Sequence, residues 1–330
     1  MIGRVRRHDA ALIGVIVALT ALFTLASEDG VFLSVANAQS MAVNATQLLL
    51  LAVGLVLLLC AGEFDLSLGA NLVLSSVVAA IVARGLSGGE AASLSGAYAD
   101  ELAAVALAAV AAVVCGAAVG AVNGLVVTRL RVNSLIATLG MMGAAQGLAL
   151  LLTDGADIGG LTPALQDRFG LAELGGLPVP AVAAALVALI AWAVLAWTRF
   201  GLRTIAIGSS RSAARRADID VRRHVLILFV VAGALCGLAG FVDVARFAST
   251  AVSGHQLDPL TALAAVLIGG TALSGGRASV PGAALGAILL VVLQSGLLLV
   301  GLETFWQLIA VGVTLVAAVA LQQLRLGRDA

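Results

Sequence analysis

Long apolar runs broken by short polar clusters dominate the chain. Each run approaches the roughly 20 residues that an α-helix needs to cross a bilayer. Read in order, the first half predicts spans over Ala10–Ala26, Met41–Cys60, Leu66–Ala83, Leu102–Val127, Ser134–Thr153 and Val179–Trp197. The second half predicts Val225–Phe247, Leu260–Ser274, Pro281–Val300 and Thr304–Leu321, which makes ten. The expected fold is therefore all-α: one polytopic transmembrane helical bundle over residues 1–330. The first run follows an Arg-rich start, but no small-x-small pattern ends it, so it reads as a retained span rather than a cleaved signal.

Two runs are interrupted. One reads Cys60-Ala61-Gly62-Glu63-Phe64-Asp65-Leu66-Ser67-Leu68-Gly69-Ala70-Asn71, the other Ile268-Gly269-Gly270-Thr271-Ala272-Leu273-Ser274-Gly275-Gly276-Arg277. Unwound backbone at membrane depth must face protein or a wet cavity, and transporters build pathways from such broken helices. Two ordinary hairpin turns, with Asp65 capping the next helix, explain the same pattern. Polar residues also lie inside the spans: Asn44, Gln47, Asn71, Asn123 and Gln146, with Ser75 and Ser76. They must turn inward, either toward solute or into inter-helix hydrogen bonds. Asn44, Gln47, Asn71, Asn123 and Gln146, together with Asp65, Ser67, Thr271 and Ser274, form the candidate solute pathway. Asp243 and Arg246, three apart near a span end, read as an interfacial ion pair.

The composition agrees: 61% hydrophobic and 11% charged residues over 330 positions, far from the balance of a water-soluble domain. Mean hydropathy is +1.12. The formal charge of zero argues against nucleic-acid binding. No lysine is present, so the chain has no phosphate-binding P-loop and no Schiff-base chemistry. His8, His224 and His255 are too dispersed to suggest a metal site, and Cys60, Cys115 and Cys236 read as small packing residues. No nucleophile–base or metal constellation points to an enzyme.

The arginines orient the spans. With a cytoplasmic N-terminus and ten crossings, fifteen of the eighteen fall on the cytoplasmic side, which also places the C-terminus there. Seven of them crowd into residues 199–224. The middle of that loop, Ser210-Arg211-Ser212-Ala213-Ala214-Arg215-Arg216-Ala217-Asp218-Ile219-Asp220, predicts a short surface helix capped by Ser210, with the alanines and Ile219 as a weak apolar face. Such a helix suits docking to a partner; a plain anchoring loop fits the composition as well. The opposite loops are short and acidic, so solute capture there falls to another protein or to the pore itself.

The run Gly62-Glu63-Phe64-Asp65-Leu66-Ser67-Leu68-Gly69 resembles the GGIDLSVG signature of ribose/xylose-type ABC permeases. Asn123-Gly124-Leu125-Val126-Val127-Thr128, Ser134-Leu135-Ile136-Ala137-Thr138-Leu139-Gly140, Gly147-Leu148-Ala149, Ala206-Ile207-Gly208 and the run Ala264–Arg277 resemble further blocks of that family, in order and from about residue 40 onward. The resemblance implies a bacterial inner-membrane importer subunit that pairs with an identical or related permease. It also implies two cytosolic ATPase subunits or one tandem ATPase, and an extracytoplasmic sugar-binding protein. ATP and magnesium would sit on the ATPase, leaving this chain without a cofactor or metal. The coupling segment implied is Ser210, Arg211, Ala213, Ala214, Arg215, Arg216, Asp218, Ile219 and Asp220. Departures from the pattern are Glu63 for a usual Gly, Asn133 for Pro, Asp218 for Gly and Arg216 for an apolar residue. A monosaccharide is the expected cargo; an autoinducer-like furanose, a nucleoside or an amino acid is the alternative within the family. An ion-coupled secondary transporter is the alternative outside it.

Overall fold

The computed structural model describes residues 2–326. Helices account for most of it, because a chain in lipid must satisfy its backbone groups within each segment. In chain order they are α1 (Ile2–Ala26), α2 (Val35–Cys60), α3 (Leu68–Leu86), α4 (Gly89–Ser95), α5 (Glu101–Thr128), α6 (Ser134–Thr153), α7 (Val179–Trp197), α8 (Arg199–Ser209), α9 (Arg211–Arg216), α10 (Val221–Phe247), α11 (Asp258–Ile268), α12 (Val280–Leu299) and α13 (Thr304–Leu326). A two-stranded hairpin, β1 (Glu173–Leu174) with β2 (Leu177–Pro178), turns the chain ahead of α7.

Among the described residues, eight helices are long and apolar enough to cross a membrane: α1 from His8, α2, α3, α5, α6, α7, α10 and α12. α13 has the length, at 23 residues. The span predicted over Leu260–Ser274 is cut short: α11 stops at Ile268 after 11 residues, about 16 Å of helix against a hydrocarbon core of about 30 Å. The next stretch, Gly269–Ser279, is unwound, with Gly270, Gly275 and Gly276 all at positive φ. His8 on α1 closes the broken end, its Nε2 lying 2.8 Å from the Ile268 carbonyl oxygen.

The bundle has a buried middle and a greasy rim. Of the most apolar 18-residue stretch, 78% is buried in α2 and 72% in α3, against 17% in both α6 and α7. α6 and α7 turn Leu135, Ile136, Leu148, Leu151, Leu186 and Ile190 outward, which is tolerable only in an apolar surrounding. The tightest pairing is α5 on α10. A Cβ at Gly120 would overlap the Phe229 carbonyl oxygen, and one at Gly116 would overlap that of Gly233. Small residues at this spacing let two backbones touch, as in close membrane helix packing.

The arginine-rich stretch 199–224 is more ordered than the predicted loop. α8 and α9 fill most of it, and Ser210 alone joins them, its Oγ accepting the Ala213 N–H at 3.3 Å. The predicted cap is therefore present, but the surface helix is a pair, and its last three expected members lie outside it. Asp218 takes a left-handed turn (φ +58°), Ile219 is half-buried, and Asp220 caps α10 by accepting the Arg223 N–H at 3.0 Å. Of the two alanines expected to share an apolar face, Ala214 is buried and Ala213 is exposed. Consecutive helix positions differ by about 100° in direction, which sets them on different faces.

Candidate functional site

The first interruption is held open by side chains. After Cys60 the chain leaves the helix through Gly62 at φ +73°, a region natural to glycine. The N–H groups that would otherwise be stranded find partners on α6. Phe64 donates to Ser134 Oγ at 3.2 Å, and Leu66 donates to Thr138 Oγ1 at 3.0 Å. Asp65, 2% exposed, closes the segment: its Oδ1 accepts the Ser67 N–H at 2.7 Å and the Ser67 hydroxyl at 2.6 Å. Asn123 on α5 donates to Ser67 Oγ at 2.9 Å and reaches Asp65 Oδ2 at 3.5 Å. One turn along α3, Asn71 donates to the Gly116 carbonyl at 3.3 Å and accepts from Ser75. Asp65, Ser67 and Asn123 thus come together as one buried polar knot, with Asn71 bonded separately one turn beyond it. Asp65 is not the cap of α3 that the hairpin reading expects: Ser67 stands at the N-cap position, and Asp65 forms the turn ahead of it by accepting the Ser67 N–H.

Gln47 belongs to a second cluster, nearer the other end of α10. Its Nε2 donates to Asp243 Oδ1 at 2.7 Å, while Asp243 Oδ2 lies 3.4 Å from His255 Nε2. His255 Nδ1 in turn sits 2.7 Å from Asp258 Oδ2. Burial works against a charge on His255. The hydrogen bonds to Asp243 and Asp258, with their negative charge, outweigh it and raise its pKa to about 10. Arg246 does not form the expected pair as its close contact. Its Nη1 donates to Asn44 Oδ1 at 2.6 Å and its guanidinium lies over the Phe247 ring, while Asp243 turns inward to Gln47 and His255. Positions three apart lie only about 60° from one another on a helix face, so it is their partners that draw the two side chains apart, Asp243 toward Gln47 and His255 and Arg246 toward Asn44.

The clusters are tied through backbone. A Cβ at Gly69, the last glycine of the interrupted run, would overlap the His255 carbonyl oxygen. Gln146 stands apart and fastens the chain beyond α10, donating to the Val252 carbonyl at 2.6 Å. Thr271 is buried in the second interruption and accepts the Ser279 N–H at 3.2 Å.

Ser274 lines a third feature, a cavity of about 820 Å³ at the α8–α9 end of the bundle. Its wall carries Arg131, Arg211, Arg215 and Arg222, and Glu63 is the only carboxylate among the described residues lining it. Glu63 and Arg211 form an ion pair. Sequence reading missed this pair, the Ser134 and Thr138 hydroxyls, and the Asp243–His255–Asp258 chain. Only the last had a local signal, the three-residue spacing of His255 and Asp258 ahead of an apolar run. Among the described residues no group of three His, Cys, Asp or Glu side chains is set to hold a metal.

Comparison with known proteins bears on what this arrangement does. The sequence model of the branched-chain amino acid transport system / permease component family matches residues 37–319. The ribose import permease protein RbsC of Bacillus subtilis (strain 168) is 37% identical over 276 residues, covering 83% of this chain and 80% of that protein. Its namesake in Escherichia coli (strain K12) is 34% identical over 287 residues, 85% of this chain and 82% of that protein. The galactose/methyl galactoside import permease protein MglC of Haemophilus influenzae (strain ATCC 51907 / DSM 11121 / KW20 / Rd) is 28% identical, with 94% of this chain and 93% of that protein covered. No solved structure matches.

Proposed function

The chain belongs to the branched-chain amino acid transport system / permease component family, and from that premise we propose that it is the membrane-spanning subunit of an ATP-driven importer for a monosaccharide. The observation that carries the reading is the broken segment Gly62–Gly69, a family signature in sequence and, in space, an unwound stretch closed by Asp65, Ser67 and Asn123. An unwound stretch whose backbone is held by side-chain bonds beside a cavity is the kind of element from which solute conduits are built. Relatives named for ribose and galactose import, aligned over most of their length, favour a sugar as cargo.

The chain lacks the lysine of a P-loop, so ATP and magnesium belong to partner subunits, either two ATPases or one tandem ATPase. A second permease, identical or related, completes the conduit, and an extracytoplasmic binding protein delivers the sugar. We read α11 with its unwound extension as the tenth crossing, which puts both termini and the α8–α9 pair on the cytoplasmic face of a bacterial inner membrane, the side favoured by the arginine bias. ATPase closure then moves α8 and α9, and the spans shift between outward- and inward-open populations.

Reconstitution in proteoliposomes with the ATPase and the binding protein tests the reading. Sugar uptake is expected to need ATP and the binding protein, and to survive collapse of the proton gradient. Uptake that instead disappears with the gradient, and persists without the ATPase, would overturn it and turn attention to the Asp243–His255–Asp258 chain, which runs from a buried to a partly exposed carboxylate, as a proton path.

A further inference from the structure

Three segments far apart in sequence meet at one point. The Cys60 carbonyl, where α2 ends, accepts the Gly276 N–H from the second interruption at 3.0 Å. Gly208, next to the last residue of α8, packs into the same spot; a Cβ there would overlap the Cys60 carbonyl oxygen and crowd the Gly276 nitrogen. A Cβ on Gly275 would in turn lie 3.1 Å from Gly62. Both interruptions therefore abut the end of α8, and Ser210 is the single link from there to α9.

Across this junction runs one charge pair. Glu63 sits in the first interruption and is 4% exposed; Arg211 opens α9 and is 45% exposed. A carboxylate so enclosed is costly without a partner, because removing one member of a buried pair leaves the other uncompensated. Arg211 is poised differently, half in the protein and half at the surface that α8 and α9 present. No other carboxylate lines the cavity among the described residues, so Arg211 has no alternative acid there. Displacing α9 without its neighbour would part Glu63 from its ion-pair partner and leave it facing only the arginines of the cavity wall that stay behind, Arg131 and Arg222.

We propose that the Glu63–Arg211 pair is a positioning device that makes the first interruption follow α9, so that one displacement of the α8–α9 unit moves both broken segments together. The proposal rests on the importer reading, in which α8 and α9 receive motion from an ATPase. Its content is separate: a named pair, through the link it makes between α9 and the first interruption, sets how much solute moves per ATP.

The test uses the full complex of permease, ATPase and sugar-binding protein in proteoliposomes, with Glu63→Gln, Arg211→Gln, the double variant and Arg211→Lys. Co-purified ATPase, ATP hydrolysis and ribose uptake are measured on each. Both single variants are expected to assemble and hydrolyse ATP while sugar moved per ATP falls about tenfold, within the usual span of coupling between sites. The double variant should fall no further, since the two side chains act as one unit, and Arg211→Lys should keep most of the ratio by keeping the charge. If Glu63→Gln fails to reach the membrane, Glu63→Asp replaces it, withdrawing the carboxylate by one methylene, with the same fall expected. Single variants with the wild-type ratio, losses that multiply in the double variant, or Arg211→Lys as poor as Arg211→Gln would each overturn the proposal. So would loss of ATPase assembly confined to Arg211→Gln, which would make Arg211 a docking residue. A wild-type complex that neither assembles nor moves sugar would overturn the importer reading and this proposal with it, a result distinct from normal coupling in the variants.

Discussion

Replacing Asp65 with alanine removes the acceptor around which the first interruption is folded. Two donors lose their partner at once, the Ser67 N–H at 2.7 Å and the Ser67 hydroxyl at 2.6 Å. They are not equally stranded. Asn123 Oδ1 is buried without a hydrogen bond among the described residues, and its amide already lies 2.9 Å from Ser67 Oγ, so the hydroxyl can rotate toward it. The Ser67 N–H has no such recourse, and a buried donor left unsatisfied costs roughly 1–3 kcal/mol. Losing the charge-assisted character of the hydroxyl bond adds about 1 kcal/mol, while removing a buried carboxylate returns some desolvation free energy. The balance is a loss of about 2 kcal/mol, or roughly thirtyfold in the folded-to-unfolded ratio. Asp65→Asn keeps an oxygen for the Ser67 N–H and should lose about half as much. Scanning fluorimetry of the detergent-solubilised protein, with initial uptake rates at matched abundance, reads both quantities. The order expected is wild type, then Asn, then Ala, with uptake in Ala down at least tenfold. An alanine variant with the wild-type melting midpoint and uptake would refute the reasoning.

Gly120→Ala should cost roughly 1–3 kcal/mol or more, as inserting bulk into a filled seam does. Gly140→Ala on α6, with nothing within 4 Å of the added Cβ, should be nearly silent in the same melts. Reversing the exposed Arg215 and Arg216 to Glu is expected to cut co-purified ATPase about tenfold or more while leaving membrane abundance unchanged, rim charges acting mainly on association; a complex that stays intact would count against docking through α9. The His255 pKa lies above its ordinary value, so the folded protein keeps a proton that the unfolded chain has released. That stabilisation is complete below about 6.5 and is lost as pH rises toward about 10. The groups around the ring are Asp243 and Asp258, with Arg246 beyond, and His255→Gln should flatten the melting profile across that window.

Much of this architecture was legible in the residues, because apolar length is a local property. Glu101–Thr128 and Ser134–Thr153 differ from the predicted spans by no more than a residue at either end. The misses share a cause, which is that hydropathy measures composition and not continuity. Residues 260–274 are apolar enough to pass for a crossing, yet Gly269 and Gly270 end the helix there because nothing in their side chains resists leaving it. Arg199–Ser209 read as loop because of its arginines, although Gly201, Thr204 and Ile207 repeat every three residues and are the ones buried. The inward turn of Asn71 and Asn123 follows from their place inside apolar spans, and both are buried, Asn123 against Asp65 and Ser67 of the interrupted run. Their grouping apart from Gln47 and Asn44, and the meeting of Glu63 with Arg211 across 148 positions, depend on how helices cross, which no local pattern encodes.

The seam between α5 and α10 has a mechanical consequence. Where Gly116 and Gly120 face Gly233 and Phe229 with backbone against backbone, the two helices are toothed together. Sliding one past the other by a single residue, about 1.5 Å, would drive side chains into carbonyl oxygens. This pair therefore behaves as a keel that tilts as one piece. Whatever opens and shuts the conduit has to hinge beside it, among the loosely seated outer helices.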